Sequence, residues 1–414
     1  MRQVWAWGVA VLVLGLAATA SGQVTPPAQP PMGERTVEEV KKEEEKKDDK
    51  PKTFWDENTL FAYIENSFVG NLHGAGRGNR NELRFYDLDA DYTFNMAEFS
   101  IKKDPSEKYP FGYGLVLTAG KDSQKNHALG IFRSSDDTFA YSNTAPFDLQ
   151  EAYGSYKIPI GEGLTLKAGK WVTLLGYEVI ESPNNLNFSR SFMFSFGIPL
   201  THVGALLSYP VADFLTVTAG TVVGWDVAKD NNSAMSFTGQ FAATPIKDLA
   251  VNFNWITGPE QNSNDTHNRT ALDFVVIYTG IKNVTLGLNY DYAFENQEAA
   301  LVASGTRDDT RASWWGIAGY GAYDWTEALR TALRIEYFAD PQSVRTAARP
   351  VGNQTSLWET TATIQYKIWK GLVARVEYRH DQANEKVFKL ENHGTTPTRG
   401  SQDTMSVSLY YLFF

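Results

Sequence analysis

Cysteine is absent from this 414-residue chain. That excludes disulfide scaffolds and thiolate metal centres, and it fits any compartment. Long apolar runs are scarce as well. Beyond the stretch from Val4 to Leu16, no run approaches the roughly 20 residues that a membrane helix needs, so helical spans are excluded. Positive charge is in deficit: 38 Lys and Arg stand against 48 Asp and Glu, for a net charge of -10. That balance argues against nucleic acid as a partner. Histidine is limited to six residues, none of them in a G-x-S-x-G or H-E-x-x-H context. A hydrolase needs Ser, His and an orienting group at one spot. No enzyme activity, cofactor or metal site is therefore expected. His202 reads as a structural hydrogen-bonding residue, and Asp136-Asp137 and Asp308-Asp309 as solvated loop charge.

What the chain has is alternation. From Ser356 to Arg379 it spells two strands around Lys370-Gly371. In the first, Trp358, Ala362, Ile364, Tyr366 and Ile368 oppose Glu359, Thr361, Thr363, Gln365 and Lys367. In the second, Leu372, Ala374, Val376 and Tyr378 oppose Arg375, Glu377 and Arg379. The run from Glu327 to Asp340 repeats the pattern, with Leu329, Leu333, Ile335 and Tyr337 against Arg330, Arg334 and Glu336. A period of two sends successive side chains to opposite faces of a sheet. A soluble sandwich would bury the oily rows and wet the charged ones. A membrane barrel would put lipid against the oily rows and water against the charged ones.

Connection lengths decide between the two. About sixteen strand-like segments follow Thr59. Short turns follow most even-numbered segments, as at Ile160-Gly161-Glu162, Pro210 to Asp213, Thr244 to Asp248 and Trp369-Lys370-Gly371. Long polar loops follow most odd ones, as at Asp122 to Phe147, Gly176 to Thr201 and Asp381 to Asp403. A sandwich has no reason to alternate in this way. A barrel with periplasmic turns and outer loops does. The expectation is an all-β, single-domain, antiparallel transmembrane β-barrel of about sixteen strands, both termini periplasmic, with outer-membrane lipid around it. Trp171, Trp225, Trp255, Trp314, Trp315, Trp325, Trp358 and Trp369 fall near strand ends, where interfacial girdles or core packing would place them. The last strand has two readings: Met405, Val407, Leu409, Tyr411 and Phe413 form the more apolar face, but Phe414 lies on the other.

Residues 1–20 read as a signal peptide: Arg2, the apolar stretch, then Ala18-Thr19-Ala20 as cleavage site. Its loss takes the formal charge from -10 to -11. Residues 21–53 read as a Pro-rich and charged periplasmic linker, and 54–414 as the barrel.

One segment resembles a known family. Gly176-Tyr177-Glu178-Val179, Asn187-Phe188-Ser189-Arg190-Ser191, Pro199 and His202-Val203-Gly204 resemble the outer-membrane β-barrel porins of the OmpL-like group. Gly224-Trp225-Asp226 followed by Asn231-Asn232 adds to the likeness, although Val223 stands where Asn is expected. The resemblance covers roughly Phe54 to Phe414. It implies a bacterial outer-membrane porin for small hydrophilic solutes or ions.

The connection from Gly176 to Thr201 carries Phe188, Phe192, Phe194 and Phe196, rings that a surface loop does not need. It is expected to fold inward and narrow the lumen, with Glu178 and Arg190 at the constriction. Arg330, Arg334, Glu336, Glu359, Lys367, Arg375, Glu377 and Arg379 are expected to line the wall. As a group the basic side chains favour anions. A homotrimer is compatible with this size. The competing reading is a structural or adhesive barrel with a blocked lumen and partner-binding outer loops.

Overall fold

The computed structural model describes residues 57–73, 81–87, 91–132, 145–296, 311–389 and 397–413. The leader, the linker and both acidic pairs lie outside the described residues. Sixteen strands follow one another in chain order. The first eight are β1 (Thr59–Asn71), β2 (Tyr92–Lys103), β3 (Phe111–Ala119), β4 (Phe147–Ile158), β5 (Leu164–Val172), β6 (Thr201–Ala212), β7 (Leu215–Val222) and β8 (Ser236–Ile246). The second eight are β9 (Leu249–Pro259), β10 (Asn268–Tyr278), β11 (Val284–Glu295), β12 (Ala312–Asp324), β13 (Leu329–Asp340), β14 (Thr355–Trp369), β15 (Leu372–Ala383) and β16 (Ser401–Leu412). Each pairs antiparallel with its neighbours, and β1 pairs with β16, so the sheet is a closed barrel. An even number of antiparallel strands starts β1 and ends β16 at the same rim, the one with the short turns.

The turns are tighter than the sequence implies. Asp213-Phe214, Lys247-Asp248 and Lys370-Gly371 each separate paired strand ends by two residues. β6 runs through Pro210 and β8 through Pro245, where the ladder slips register between Pro210 and Ala212 and between Ala243 and Ile246. A bulge lacks one ladder bond anyway, so a residue without an N–H is tolerated there.

The two faces separate as the alternation requires. On β14, Ile364 (53%), Tyr366 (52%) and Ile368 (52%) are exposed, while Thr361, Thr363 and Gln365 are buried. On β16, Met405, Val407 and Leu409 point outward; Ser406, Ser408 and Tyr410 point inward. The more apolar face of the last strand is therefore the outer one. The tryptophans divide. Trp325, Trp358 and Trp369 are exposed on the outside, but Trp171, Trp225 and Trp314 are packed within the barrel.

The interior holds two apolar clusters. One joins Trp171, Phe192, Met193, Trp225, Trp314 and Phe338 with small residues of β10 to β13. The other joins Tyr63, Met96, Tyr86, Ile180, Phe194 and Leu200. Each of the large side chains removed from water contributes about 1.5–3 kcal/mol. In a bilayer the outer rows would gain from lipid in the same way. Ile335, 55% exposed at the centre of β13, is a direct probe. Ile335→Arg should cost about 2–4 kcal/mol in reversible unfolding from lipid vesicles; an unchanged unfolding free energy would mean that this row does not meet hydrocarbon.

Candidate functional site

The inward side of β13 to β15 carries most of the charged residues that the sequence singles out. Backbone register sets them in rows. Arg334 lies opposite Thr361, and Thr361 opposite Arg379; one row on, Glu336 lies opposite Glu359, and Glu359 opposite Asp381. Like charges directly opposite destabilise a ladder. Here the offset row of opposite sign compensates. Arg334 Nε bonds Glu359 Oε1 at 2.5 Å, and Arg379 Nε bonds Asp381 Oδ1 at 2.7 Å.

The segment between β5 and β6 completes this network with its own backbone. Glu377 accepts from Phe188 N at 2.6 Å and Ser189 N at 3.0 Å. Glu336 accepts from Phe192 N at 2.7 Å and Met193 N at 2.6 Å. Glu178 accepts from Ser191 N at 2.7 Å and bonds Arg334 Nη1 at 2.5 Å. Arg379 donates to Arg190 O at 2.5 Å, and Arg375 Nη1 to Ser182 O at 3.1 Å. These contacts hold the segment against the inner wall. A hydrogen bond to a charged group is worth about 1.5–3 kcal/mol net, and the low local dielectric strengthens it.

Small residues open the room for this approach. A Cβ at Gly316 would stand 2.5 Å from Met193 Cγ, and one at Gly287 2.4 Å from Tyr177. Trp314 Nε1 donates to Gly197 O at 3.0 Å, and Asp226 accepts from Leu200 N at 2.6 Å and Thr201 N at 2.9 Å. Other connections pack in beside the segment. Arg345 donates to Phe196 O at 2.8 Å with its guanidinium over Trp225 and Trp314. Val387 and Phe388 join the larger apolar cluster. Glu260 accepts from Trp225 N at 2.7 Å; burial pushes its carboxyl up to about 7. Asp226 is likewise raised by burial, against the amides it accepts from.

Glu178 (6% exposed) and Arg190 (3% exposed) are both buried and are not paired with each other. Arg190 donates to Val179 O, Ile180 O and Phe188 O at 2.7–3.0 Å, tying the two arms of the segment together. Arg334, Glu336, Glu359, Arg375, Glu377 and Arg379 are brought into one network and are at most 2% exposed. Arg330 stands apart near the short-turn rim, bound to Asp324 at 2.6 Å, and Lys367 is half-buried at the same end of β14. His202 contacts Gly224 O at 3.0 Å and Thr173 Oγ1 at 3.1 Å, in keeping with a structural role.

Sequence reasoning missed two groups. Glu65, Glu98, Asp148 and Glu151 face inward from β1, β2 and β4, and Asp226 and Asp340 pin loop amides. The alternation Glu98-Phe99-Ser100-Ile101-Lys102 is the signal that marks the inward parity of β2. Removing the paired acceptors tests the clamp. Glu336→Gln with Glu377→Gln should make the bonds between residues 188 and 193 protease-sensitive in a barrel that still inserts. Unchanged resistance would show that the carboxylates do not hold the segment.

Residues 59–413 match the protein family described as "Putative beta-barrel porin-2, OmpL-like". No curated protein sequence matches the chain. Among solved structures, the chain is similar to the anion-selective porin from Comamonas acidovorans, at 8% identity and TM-score 0.54, covering 86% of this chain and 99% of that one. It is similar to the outer membrane channel DcaP of Acinetobacter baumannii at 10% identity and TM-score 0.54, covering 86% and 97%. Salmonella typhi OmpF in complex with daunomycin gives 14% identity, TM-score 0.54, and the same 86% and 97%. At these identities the likeness is one of fold. The family match over nearly the whole barrel carries the assignment: the chain belongs to the OmpL-like β-barrel porin family of the outer membrane.

Proposed function

We propose that the chain is a non-enzymatic porin, a water-filled channel through which small hydrophilic solutes or ions diffuse passively, narrowed by residues 176–201. In this reading the short turns and both termini face the periplasm, and residues 1–20 and 21–53 are the cleaved leader and the tether. The supporting observation is the clamp: eight residues of barrel and segment commit charged groups or backbone amides to fixing one connection against the inner wall. A connection needed only to join two strands would stay in solvent. Glu178 and Arg190 then act as braces that set the shape of the narrowing, and the wall from Arg334 to Arg379 anchors it. Arg330 and Lys367 border the vestibule at the short-turn rim. A homotrimer fits this function as well as a monomer does.

The blocked barrel is the second reading. It is favoured by the packing of Tyr86, Arg345 and Phe388 into the loop end. Planar-bilayer conductance separates the two. Porin function predicts a measurable wild-type step, and a several-fold larger one when Asn184 to Phe194 is deleted. Unchanged conductance in a folded deletion variant would contradict the narrowing. Silence from both proteins would favour the blocked barrel.

A further inference from the structure

Charge inside the barrel is sorted by exposure. Among the described residues, the strand carboxylates of inward parity are at most 5% exposed, Asp324 excepted. Toward the short-turn rim the partly exposed charges of the inward rows are bases: Lys102, Lys157, Lys167, Arg330 and Lys367.

Register fixes the direction of each. Lys102 lies opposite Gly114, and Gly114 opposite Tyr153; Lys167 lies between Ser155 and Leu206. Tyr153 and Leu206 belong to the interior packing, and directly opposite residues of an antiparallel pair share a face. Lys157 has the parity of Tyr153 and Ser155 on β4. Arg330 and Lys367 have the parity of Arg334 and Thr363, which bond the clamped segment at Ser189 O and Asn187. The bases therefore form two arcs, one on β2, β4 and β5 and one on β13 and β14, with β15, β16 and β1 between them.

Neutralisation is incomplete. Lys102 pairs with buried Glu151, and Arg330 holds Asp324 at 2.6 and 2.9 Å. Among the described residues, no ion pair reaches Lys167 or Lys367; the Lys167 ammonium stands 4.4 Å from the Tyr153 ring centroid. Lys157 meets Glu107 only at 3.8 Å, and that carboxylate is 91% exposed, so the pair contributes little. The segment adds one partly exposed acid, Glu181, which accepts from Gln150 at 2.6 Å. Lys157, Lys167 and Lys367 thus stand against a single carboxylate. Arg334, Arg375 and Arg379 do not contribute. They are at most 1% exposed and are committed to carboxylates and to the carbonyls of the segment.

We propose that the lysines of these two arcs make the short-turn vestibule attractive to anions, and that the channel favours small inorganic and carboxylate anions over cations. The inference rests on the channel reading above and names its solute class. Rings of Lys or Arg select anions in pores, and low-dielectric walls focus their field. An ammonium is a compact charge on a flexible stem, without the bidentate grip of a guanidinium, so it draws an anion in and lets it leave. Because these groups stand at an accessible surface, salt screens them. The screening length falls from about 10 Å at 0.1 M to about 3 Å at 1 M.

Reversal potential across a KCl gradient tests this on the full-length inserted protein. Wild type should favour chloride over potassium, and more strongly near 0.1 M salt than near 1 M. Lys157→Gln, Lys167→Gln and Lys367→Gln should each shift the reversal potential toward zero, and together further. Lys282→Gln, which removes the same charge from an exposed turn between β10 and β11, should leave it unchanged. A conducting wild-type channel that prefers potassium or neither ion overturns the inference while leaving the porin standing. So does an equal shift from Lys282→Gln. A protein with no conductance removes both. The wild-type sign decides the matter even where a variant fails to insert.

Discussion

Closure of the ladder between β1 and β16 decides which solvent meets each side of every strand. Tyr63 pairs with Leu412 and Asn71 with Thr404, with an unbroken register between them. An open edge in hydrocarbon would leave a row of N–H and C=O groups without partners, each costing several kcal/mol. Once the sheet is closed, parity alone assigns the rows. Ile364 and Val407 have nowhere to go but outward, and Arg334 and Glu377 nowhere but inward.

A closed sheet of sixteen strands encloses more space than its own side chains fill. The chain packs the connection between β5 and β6 against the inner wall, with parts of other connections beside it. That connection arrives with unpaired backbone amides, which the wall meets with carboxylates, and with Tyr177 and Met193, which Gly287 of β11 and Gly316 of β12 admit. The proposed narrowing depends on that clamp, in which Glu336, Glu377 and Arg379 of the inward rows hold the segment by its backbone.

Strands were the readable part of this chain. A period of two survives in a single sequence, so all sixteen segments from Thr59 to the C-terminal run stand where alternation implied. Pro210 and Pro245 read as strand ends because a proline lacks the ladder N–H, whereas bulges carry the strands past them. Trp171, Trp225 and Trp314 were not assignable to girdle or interior from position alone. Trp314 has the parity of Gly316 and Ala318, which marks it as inward only once the small inward residues of β12 are recognised. The rings of the 176–201 segment imply an inward path, and its bonds to Glu336 and Glu377 are consistent with one. The partners of Glu178 carry no such signal, since Arg334 lies 156 residues further along and no local pattern links them. A count of arginines likewise does not show how they are paired: Arg334 meets Glu359 on the next strand and also Glu178 of the distant connection.

Because the natural chain has no cysteine, single cysteines placed along β14 report on sidedness without interference. A membrane-soluble thiol reagent, applied to protein in bilayers, should label cysteine at positions 358, 364 and 366 and spare it at 361, 363 and 365. Labelling without a period of two, or with the opposite parity, would contradict the account.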